Sequence, residues 1–562
     1  MSNTVREIRF PKIGHFWIDS GLLGFYELAC MGQPEKTNVG ISLDDEGVTV
    51  RGTEENVSAF LNATYSTLLQ RYYNTSSEKQ EQEKAGFYYD SKQDRFIRFP
   101  RAKPTGIAGL IFNKAPRPTQ GQIKYVDKKK GTLPADYTHL EERLGEFLEQ
   151  NKLKIGGANL LLDGPNAYQP KVTISPKERK PKGHCFLCGN PSHALTEIGS
   201  TIFPMISGAS GALTFNSECG KPARVCWKCD YIGKFVPVPG FYVTDGGASH
   251  MYFPYSTSLE KMHETFGSFE SIKTRDPYLL RNFDTDLGGY FKKPYEQLFS
   301  FLYSVYRRVL SKTGPDDQEE DTPDFDFEKM YNLVLSRAPL EIFVLYTEAL
   351  GDTQMGKMIW PFRESVYMFR LFEYMESHGI PLRQMMLILI DFNQDKDENK
   401  TLMRNRICER ILRRQSAVDL VEQHVFRINT SKVQYIKPVH DFVIAYEKIL
   451  IQEKDPMKQE LIDTAVSLGK TIGMAISPKS GRERKQGKGD LFRLRKARRP
   501  EDFLNEVNRI QMKYGASVTA DLYKNGEAFG QNFQEFKQFC MIAALNTYNF
   551  MNQPDKEQQD AS

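Results

Sequence analysis

The chain has 562 residues, 40% of them hydrophobic and 26% charged, enough for two to four domains at roughly 100–200 residues each. No apolar run reaches the about 18 residues a membrane helix needs, and MMLILIDF (385–392) is far too short. The start, MSNTVREIRFPKIGHFW, lacks the pattern of a secretory signal, so a cytoplasmic chain with no membrane partner is expected. The formal charge of +4 conceals segregation: residues 401–500 hold 22 Lys and Arg against 11 Asp and Glu, a local +11 that leaves the rest at −7. A basic face aimed at a polyanion follows, with nucleic acid the first candidate.

In chain order, an extended start leads into the apolar stretch FWIDSGLLGFYELA (16–29). Residues 39–51 alternate around an Asp-Glu-Gly turn and predict a β-hairpin; 54–73 predict an amphipathic helix, followed by the polar, exposed NTSSEKQEQEK. Residues 96–130 are rich in Pro, Gly, Lys and Arg, and NLLLDGPNAYQPKVTISPKERKPKGHC predicts loops and short strands. Helical patterning takes over from about 292, broken by the acidic linker 314–328 and the polar NQDKDENK (393–400). Beyond it, Phe442, Ala445, Tyr446, Ile449 and Leu450 share one helical face, and Leu461, Ala465, Leu468, Ile472 and Ile476 another. Phe503, Val507, Ile510 and Tyr514 repeat the pattern after Pro500, with Gly515 placed to end the helix; Phe533, Phe536, Cys540, Ala543 and Thr547 mark the last one. The expected fold is multidomain α+β: a mixed N-terminal domain (1–400) with an inserted four-cysteine zinc module (183–235), a C-terminal helical bundle (401–552) and a flexible tail (553–562).

CFLCGN (185–190) and CWKCD (226–230) are the sharpest local signal. Each Cys-x-x-Cys turn lets two sulfurs converge, and two turns complete a tetrahedron, so Cys185, Cys188, Cys226 and Cys229 are expected to bind a structural Zn²⁺. In a reducing compartment such pairs favour metal over disulfide. Gly189 suits the positive φ of a knuckle turn. Cys219, His184 and His193 rank below these four as ligands. Four thiolates leave no position for water, which argues against a catalytic metal. Between the knuckles there is one histidine, His193, and no Asp-His dyad, so a nuclease of the His-Asn-His type fits poorly. The intervening ISGASGALTFNSECGK (206–221) reads as a flexible connection, or as a backbone small enough to approach a groove, with Asn216 and Lys221 reaching bases or phosphates.

KSGRERKQGKGDLFRLRKARR (479–499) holds ten basic residues and two acidic ones. With Gly481, Gly487 and Gly489 loosening its first half, it predicts a phosphate-binding loop through Lys479, Arg482, Arg484, Lys485, Lys488, Arg493, Arg495, Lys496, Arg498 and Arg499. The upstream helix adds Arg404, Arg406, Arg410, Arg413 and Arg414, of which Arg406, Arg410, Arg413 and Arg414 are expected to form a basic stripe on one helix side. Arg117, Lys124, Lys128, Lys129 and Lys130 make a second, smaller cluster. There is no Gly-x-x-x-x-Gly-Lys-Ser/Thr loop and no Gly-x-Ser-x-Gly elbow, so a binding protein fits better than an enzyme.

FWIDSGLLGFYELA, then CFLCGN and CWKCD, then a basic helical C-terminal region occur in that order. The combination resembles the large subunit of type I-B CRISPR Cascade, CRISPR-associated protein eight of subtype b, across most of the chain. The resemblance implies a non-catalytic subunit of an antiviral, crRNA-guided surveillance complex. Such a subunit helps hold the crRNA 5′ end, recognises the PAM in double-stranded target DNA, helps open the duplex and recruits a separate helicase–nuclease. Its partners would be the Cascade backbone and crRNA-processing subunits. On this resemblance Arg117, Lys124 and Lys128–Lys130 would meet crRNA, and Asn216 and Lys221 would lie near the PAM. A small subunit made by internal translation is also implied, with Met403 as a start and Met375 and Met457 as rivals. The alternatives are a zinc-stabilised nucleic-acid-binding subunit of another replication, repair or transcription assembly, and a metal-dependent nuclease.

Overall fold

The computed structural model describes residues 5–31, 38–72, 86–99, 122–155, 159–162, 180–198, 224–245, 248–274, 281–312, 325–350, 353–430, 434–452, 457–477, 481–518 and 530–552. These form two compact units, one from Met1–Asp284 with Glu328–Arg363, the other from Thr285–Phe327 with Glu364–Ser562. The boundary expected at 400/401 is therefore replaced by a discontinuous division. The tail at 553–562 lies outside the described residues.

In the first unit, β1 (Val5–Pro11) is followed by α1 (Phe16–Met31), the hairpin β2 (Gly40–Asp44) and β3 (Gly47–Thr53), and α2 (Glu54–Tyr72). The expected hairpin and helix are both present. β3 is central, antiparallel to β1 and β2, and Arg9 on β1 pairs with Asp44 (2.9 Å) and Glu46 (3.3 Å) across the edge. A small sheet of order β5-β4-β7-β6 follows, from β4 (Gly86–Asp90), β5 (Arg95–Phe99), β6 (Gln122–Ile123) and β7 (Leu160–Leu162). It shares a separate core with α3 (Glu141–Gln150), built on Tyr89, Phe96, Ile123, Leu140, Leu144 and Leu160.

Two short antiparallel pairs come next: β8 (Gly183–His184) with β9 (Pro191–Ser192), and β10 (Leu195–Glu197) with β11 (Arg224–Cys226). The helix α4 (Trp227–Ile232) continues from β11. A four-stranded antiparallel meander then runs β12 (Phe241–Asp245), β13 (Ala248–Tyr255), β14 (Glu341–Leu350) and β15 (Thr353–Phe362), with α5 (Leu259–Phe269) after β13. β14 and β15 are strands inside the region from about 292 where helical patterning is expected to dominate. Their Val, Ile, Phe, Tyr and Thr residues favour a pleated, half-buried surface, and the ladder from Ala248↔Glu348 to Tyr255↔Glu341 supplies the pairing. That ladder also draws 328–363 into the first unit.

α1 is buried on every side, from Phe16, Trp17, Ile18 and Asp19 to Phe25, Leu28 and Ala29. A helix apolar all round belongs inside a core rather than on its surface. Ile8, Phe10, Val48 and Val50 of the first sheet, Phe60, Leu61 and Tyr65 of α2, and Tyr242, Met251 and Phe253 of the meander complete its cluster. The Asp19 carboxylate within that core accepts from the Ile13 N–H (3.0 Å) and the Tyr255 hydroxyl (3.3 Å), and burial raises its pKa.

The second unit is helical: α6 (Pro294–Val305), α7 (Ser365–Ser377), α8 (Leu382–Ile388), α9 (Leu402–Leu412), α10 (Val418–Ile428), α11 (Lys437–Gln452), α12 (Met457–Ala475), α13 (Gly481–Arg495), α14 (Pro500–Tyr514) and α15 (Phe533–Met551). α6 belongs here because Glu296 on it meets Arg404 on α9 at 2.6 Å, with side chains 0% and 1% exposed. Arg404 also donates to the carbonyls of Met386 (3.1 Å) and Tyr290, so the buried guanidinium is satisfied. Leu461, Ala465, Leu468, Ile472 and Ile476 are all buried, as are Phe503, Val507 and Ile510. Pro500 opens α14 and Gly515 closes it at φ 69°, as the sequence predicts.

α12 and α15 pack backbone to backbone. A Cβ on Gly473 would stand 2.6 Å from the Ala544 carbonyl oxygen, and one on Gly469 would run into that of Cys540. The Gly469-Lys-Thr-Ile-Gly473 spacing puts both glycines on one helix face, one turn apart.

Candidate functional site

The first knuckle is the tip of the β8/β9 hairpin, with Gly183 opposite Ser192 and His184 opposite Pro191. The Cys185 N–H donates to the Asn190 carbonyl and the Gly189 N–H to the Cys185 carbonyl, both at 2.9 Å. Gly189 sits at φ 71°, the conformation anticipated for it. The second knuckle joins a strand to a helix: Cys226 ends β11 and caps α4, and Cys229 lies within α4's first turn.

The four sulfurs of Cys185, Cys188, Cys226 and Cys229 lie within 4.8 Å of one another, and Cys188 Sγ and Cys226 Sγ are 3.9 Å apart. A tetrahedron of metal–sulfur bonds near 2.3 Å has edges of about 3.8 Å, so the site fits a metal ion. Among the described residues this is the cluster with metal-ligating geometry; His184 and His193 are not part of it, and Cys219 lies outside the described residues. The Cys226 N–H donates to Cys185 Sγ (3.3 Å). A hydrogen bond from Cys229 lowers the pKa of Cys226 to about 5 and pushes Cys229 up, while burial raises Cys188 to about 11. Four thiolates this close repel one another, and a bound dication is what would stabilise them together.

The module is fixed to the core of the first unit through α4. Tyr231 donates its hydroxyl proton to the Leu61 carbonyl (2.8 Å), and Trp227 meets Phe10 edge-on at 5.8 Å. Lys228 donates to the Arg9 carbonyl at 2.8 Å. Gly21 and Gly24 of α1 leave room for the carbonyl groups of Ile232 and Phe235. FWIDSGLLGFYELA and CWKCD therefore pack as one device, a relationship that only the Gly-x-x-Gly spacing on α1 could have signalled.

The basic segments differ from expectation in several places. Residues Gly481–Arg495 of the stretch expected as a loop form the helix α13, and Gly487 serves close packing rather than looseness: a Cβ there would run into the Ile476 carbonyl oxygen. Arg495 is bound bidentately to Glu422 (2.5 and 3.0 Å) and lies 4.6 Å over the Phe426 ring. Lys488 donates to the Thr430 carbonyl at 3.1 Å. Arg493, Lys496, Arg498 and Arg499 are exposed and form no ion pair among the described residues. Against burial, which raises it, bonds from Lys513, Tyr514 and Arg509 hold Asp490 down at about 2 and tie α13 to α14. Arg482, Arg484 and Lys485 lie on α13 with side chains outside the described set, as does all of Lys479.

The expected stripe on α9 breaks at its end. The helix stops at Leu412, Arg413 pairs with Glu409 (2.9 Å), and Arg414 turns to φ 54° and stacks over Tyr367 at 4.8 Å. Arg406 is exposed and Arg410 half-buried. Lys128, Lys129 and Lys130 project from a tight turn: Asp127 Oδ1 accepts the Lys129 N–H (2.9 Å), and Gly131 at φ 76° completes it. Lys124 is exposed nearby on the chain, while Arg117, Asn216 and Lys221 lie outside the described residues.

Comparison with protein-family models gave no match, and a search of curated proteins found no relative. Among the described residues no helix is long and apolar enough to cross a membrane.

Proposed function

We propose that this chain is the non-catalytic, zinc-stabilised large subunit of a type I-B Cascade, and that it binds nucleic acid through its second unit. The observation that carries the nucleic-acid reading is the group of exposed cations Arg493, Lys496, Arg498 and Arg499 around the α13–α14 junction, none ion-paired among the described residues. Four like charges within seven residues, with no carboxylate pairing them among the described residues, leave a local positive surface that a polyanion would neutralise, in contrast to Arg495, which Glu422 holds. The order of FWIDSGLLGFYELA, the two knuckles and the basic helices supports the Cascade assignment. Zinc is the metal proposed for the four thiolates, in a structural role because the set is closed. Double-stranded PAM-bearing DNA, crRNA, the Cascade backbone and crRNA-processing subunits and a helicase–nuclease are the proposed partners, in the cytoplasm.

An internally translated small subunit would have to begin upstream of α9's packing partner or do without it. A product starting at Met403 carries Arg404 without Glu296, so its fold would need a substitute for α6. The assembly is tested by tagging the chain in its native host and sequencing the RNA that copurifies. Short RNAs with one shared repeat-derived 5′ end support the proposal; purification free of such RNA contradicts it.

A further inference from the structure

Phe186 lies between the first two cysteines and is 58% exposed. A solitary surface phenylalanine needs no explanation, but this one is fixed and flanked by charge. Its N–H donates to the Arg224 carbonyl (2.8 Å), and the preceding Cys185 is buried in the four-sulfur cluster. On its N-terminal side, Lys180, Lys182 and His184 are exposed, whereas Gly183 faces Leu195 and Cys185 points inward. The Lys182 N–H extends the β8/β9 ladder by bonding the Ser192 carbonyl (2.9 Å). Side chains two apart on an extended strand share a face at intervals of about 6.6 Å. Lys182 and His184 thus lie on one side of the hairpin, and the exposed Phe186 follows in the knuckle turn. Lys180 and Lys182 form no ion pair among the described residues. Within the module Glu197 lies opposite Arg224 on the β10/β11 pair, while Glu178, two residues before Lys180 in the sequence, lies outside the described residues.

We infer that this knuckle face binds single-stranded nucleic acid, with an unpaired base stacked on Phe186 and the adjoining phosphates against Lys180 and Lys182. The inference rests on the nucleic-acid reading above and adds a site separate from the α13–α14 cations. A strand is favoured over a duplex because the ring of an exposed Phe is open only to a base outside its stack. It is favoured over a purely acidic peptide because a run of carboxylate side chains offers the ring no planar apolar partner. Base stacking on an aromatic is sequence-tolerant, and the metal cluster supplies the rigidity that makes the platform available without an ordering cost.

The test uses the full-length, metal-loaded chain and a fluorescent oligothymidylate carrying one 2-aminopurine. Phe186→Ala should weaken binding on the order of tenfold and abolish the 2-aminopurine quenching that stacking produces. Phe186→Trp should retain both. Lys180→Ala with Lys182→Ala should lower the log–log salt slope by about 0.7 for each phosphate no longer neutralised. If Phe186→Ala loses metal, Phe186→Leu decides, since it keeps the apolar bulk and removes the ring. Wild-type affinity and quenching in a metal-replete Phe186→Leu variant overturn the inference, as does equal competition by polyglutamate. If those variants behave as wild type while removal of the α13–α14 cations still weakens binding, only this site fails. If the wild-type chain binds no nucleic acid, both readings fail.

Discussion

The carbonyl oxygen of Ile232 lies 2.5 Å from where a Cβ on Gly21 would stand. The helix that carries Cys229 is thereby pressed against α1, the central helix of the first unit, with no room for a side chain between them. Gly21→Val should destabilise this unit by at least about 1–3 kcal/mol, the usual cost of overpacking, and lower its metal content as well. Differential scanning calorimetry with metal analysis checks both. Unchanged melting would mean that α4 can shift away at no cost.

Removing one ligand should act through folding rather than through catalysis. Cys185→Ser or Cys229→Ser is expected to lower zinc content and destabilise the first unit by several kcal/mol, because metal-binding free energy is folding free energy at such a site. Chelator treatment of the wild type should reproduce the loss, and added Zn²⁺ should reverse it. A mutant without metal but with full thermal stability would show that the cluster has no structural role.

α12 and α15 test the packing of the second unit. Gly473→Val places a branched side chain against the Ala544 carbonyl and the Thr547 side chain. A loss of about 1–3 kcal/mol is expected, read as a lower urea midpoint, whereas Gly489→Ala, which meets nothing within 4 Å, should be neutral or slightly stabilising.

Glu447 gives the second unit a pH dependence. Burial raises its pKa to about 7, against hydrogen bonds from the Ala417 N–H (2.7 Å), Ser416 Oγ (3.0 Å) and the Val418 N–H (3.1 Å), with Glu535 adding a like charge. Because the folded pKa lies above the ordinary 4.5, the folded chain holds this proton more tightly. The contribution is complete below pH 4.5 and is lost as pH rises through about 7. Between pH 5 and 8 it amounts to on the order of 2 kcal/mol. Glu447→Gln keeps an acceptor for the α10 N-terminus and should flatten this part of the pH profile. A variant with the same slope as wild type would assign the dependence to other groups.

Much of this was legible from residue patterns. The four cysteines, the 39–51 hairpin and the α12 and α14 faces follow from spacing, which local geometry obeys directly. β14 was hidden because one of its partners, β13, lies some ninety residues upstream, and β15 is a strand only through its pairing with β14. The glycines of 481–489 suggested a loop because composition does not reveal that Gly487 meets a backbone carbonyl. Charge counts likewise could not separate Arg495, held by Glu422, or Arg404, held by Glu296, from the exposed cations beside them.

The most direct test of nucleic-acid binding through the second unit is the salt dependence of DNA affinity for wild type and for Arg493→Ala, Lys496→Ala, Arg498→Ala and Arg499→Ala combined. Arg495→Ala is measured separately, as a probe of stability. The quadruple variant should bind more weakly, with a log–log slope shallower by about 0.9 for each phosphate of duplex DNA no longer neutralised, and should melt as wild type does. An unchanged affinity and slope in a folded quadruple variant would falsify the phosphate-binding role of this surface.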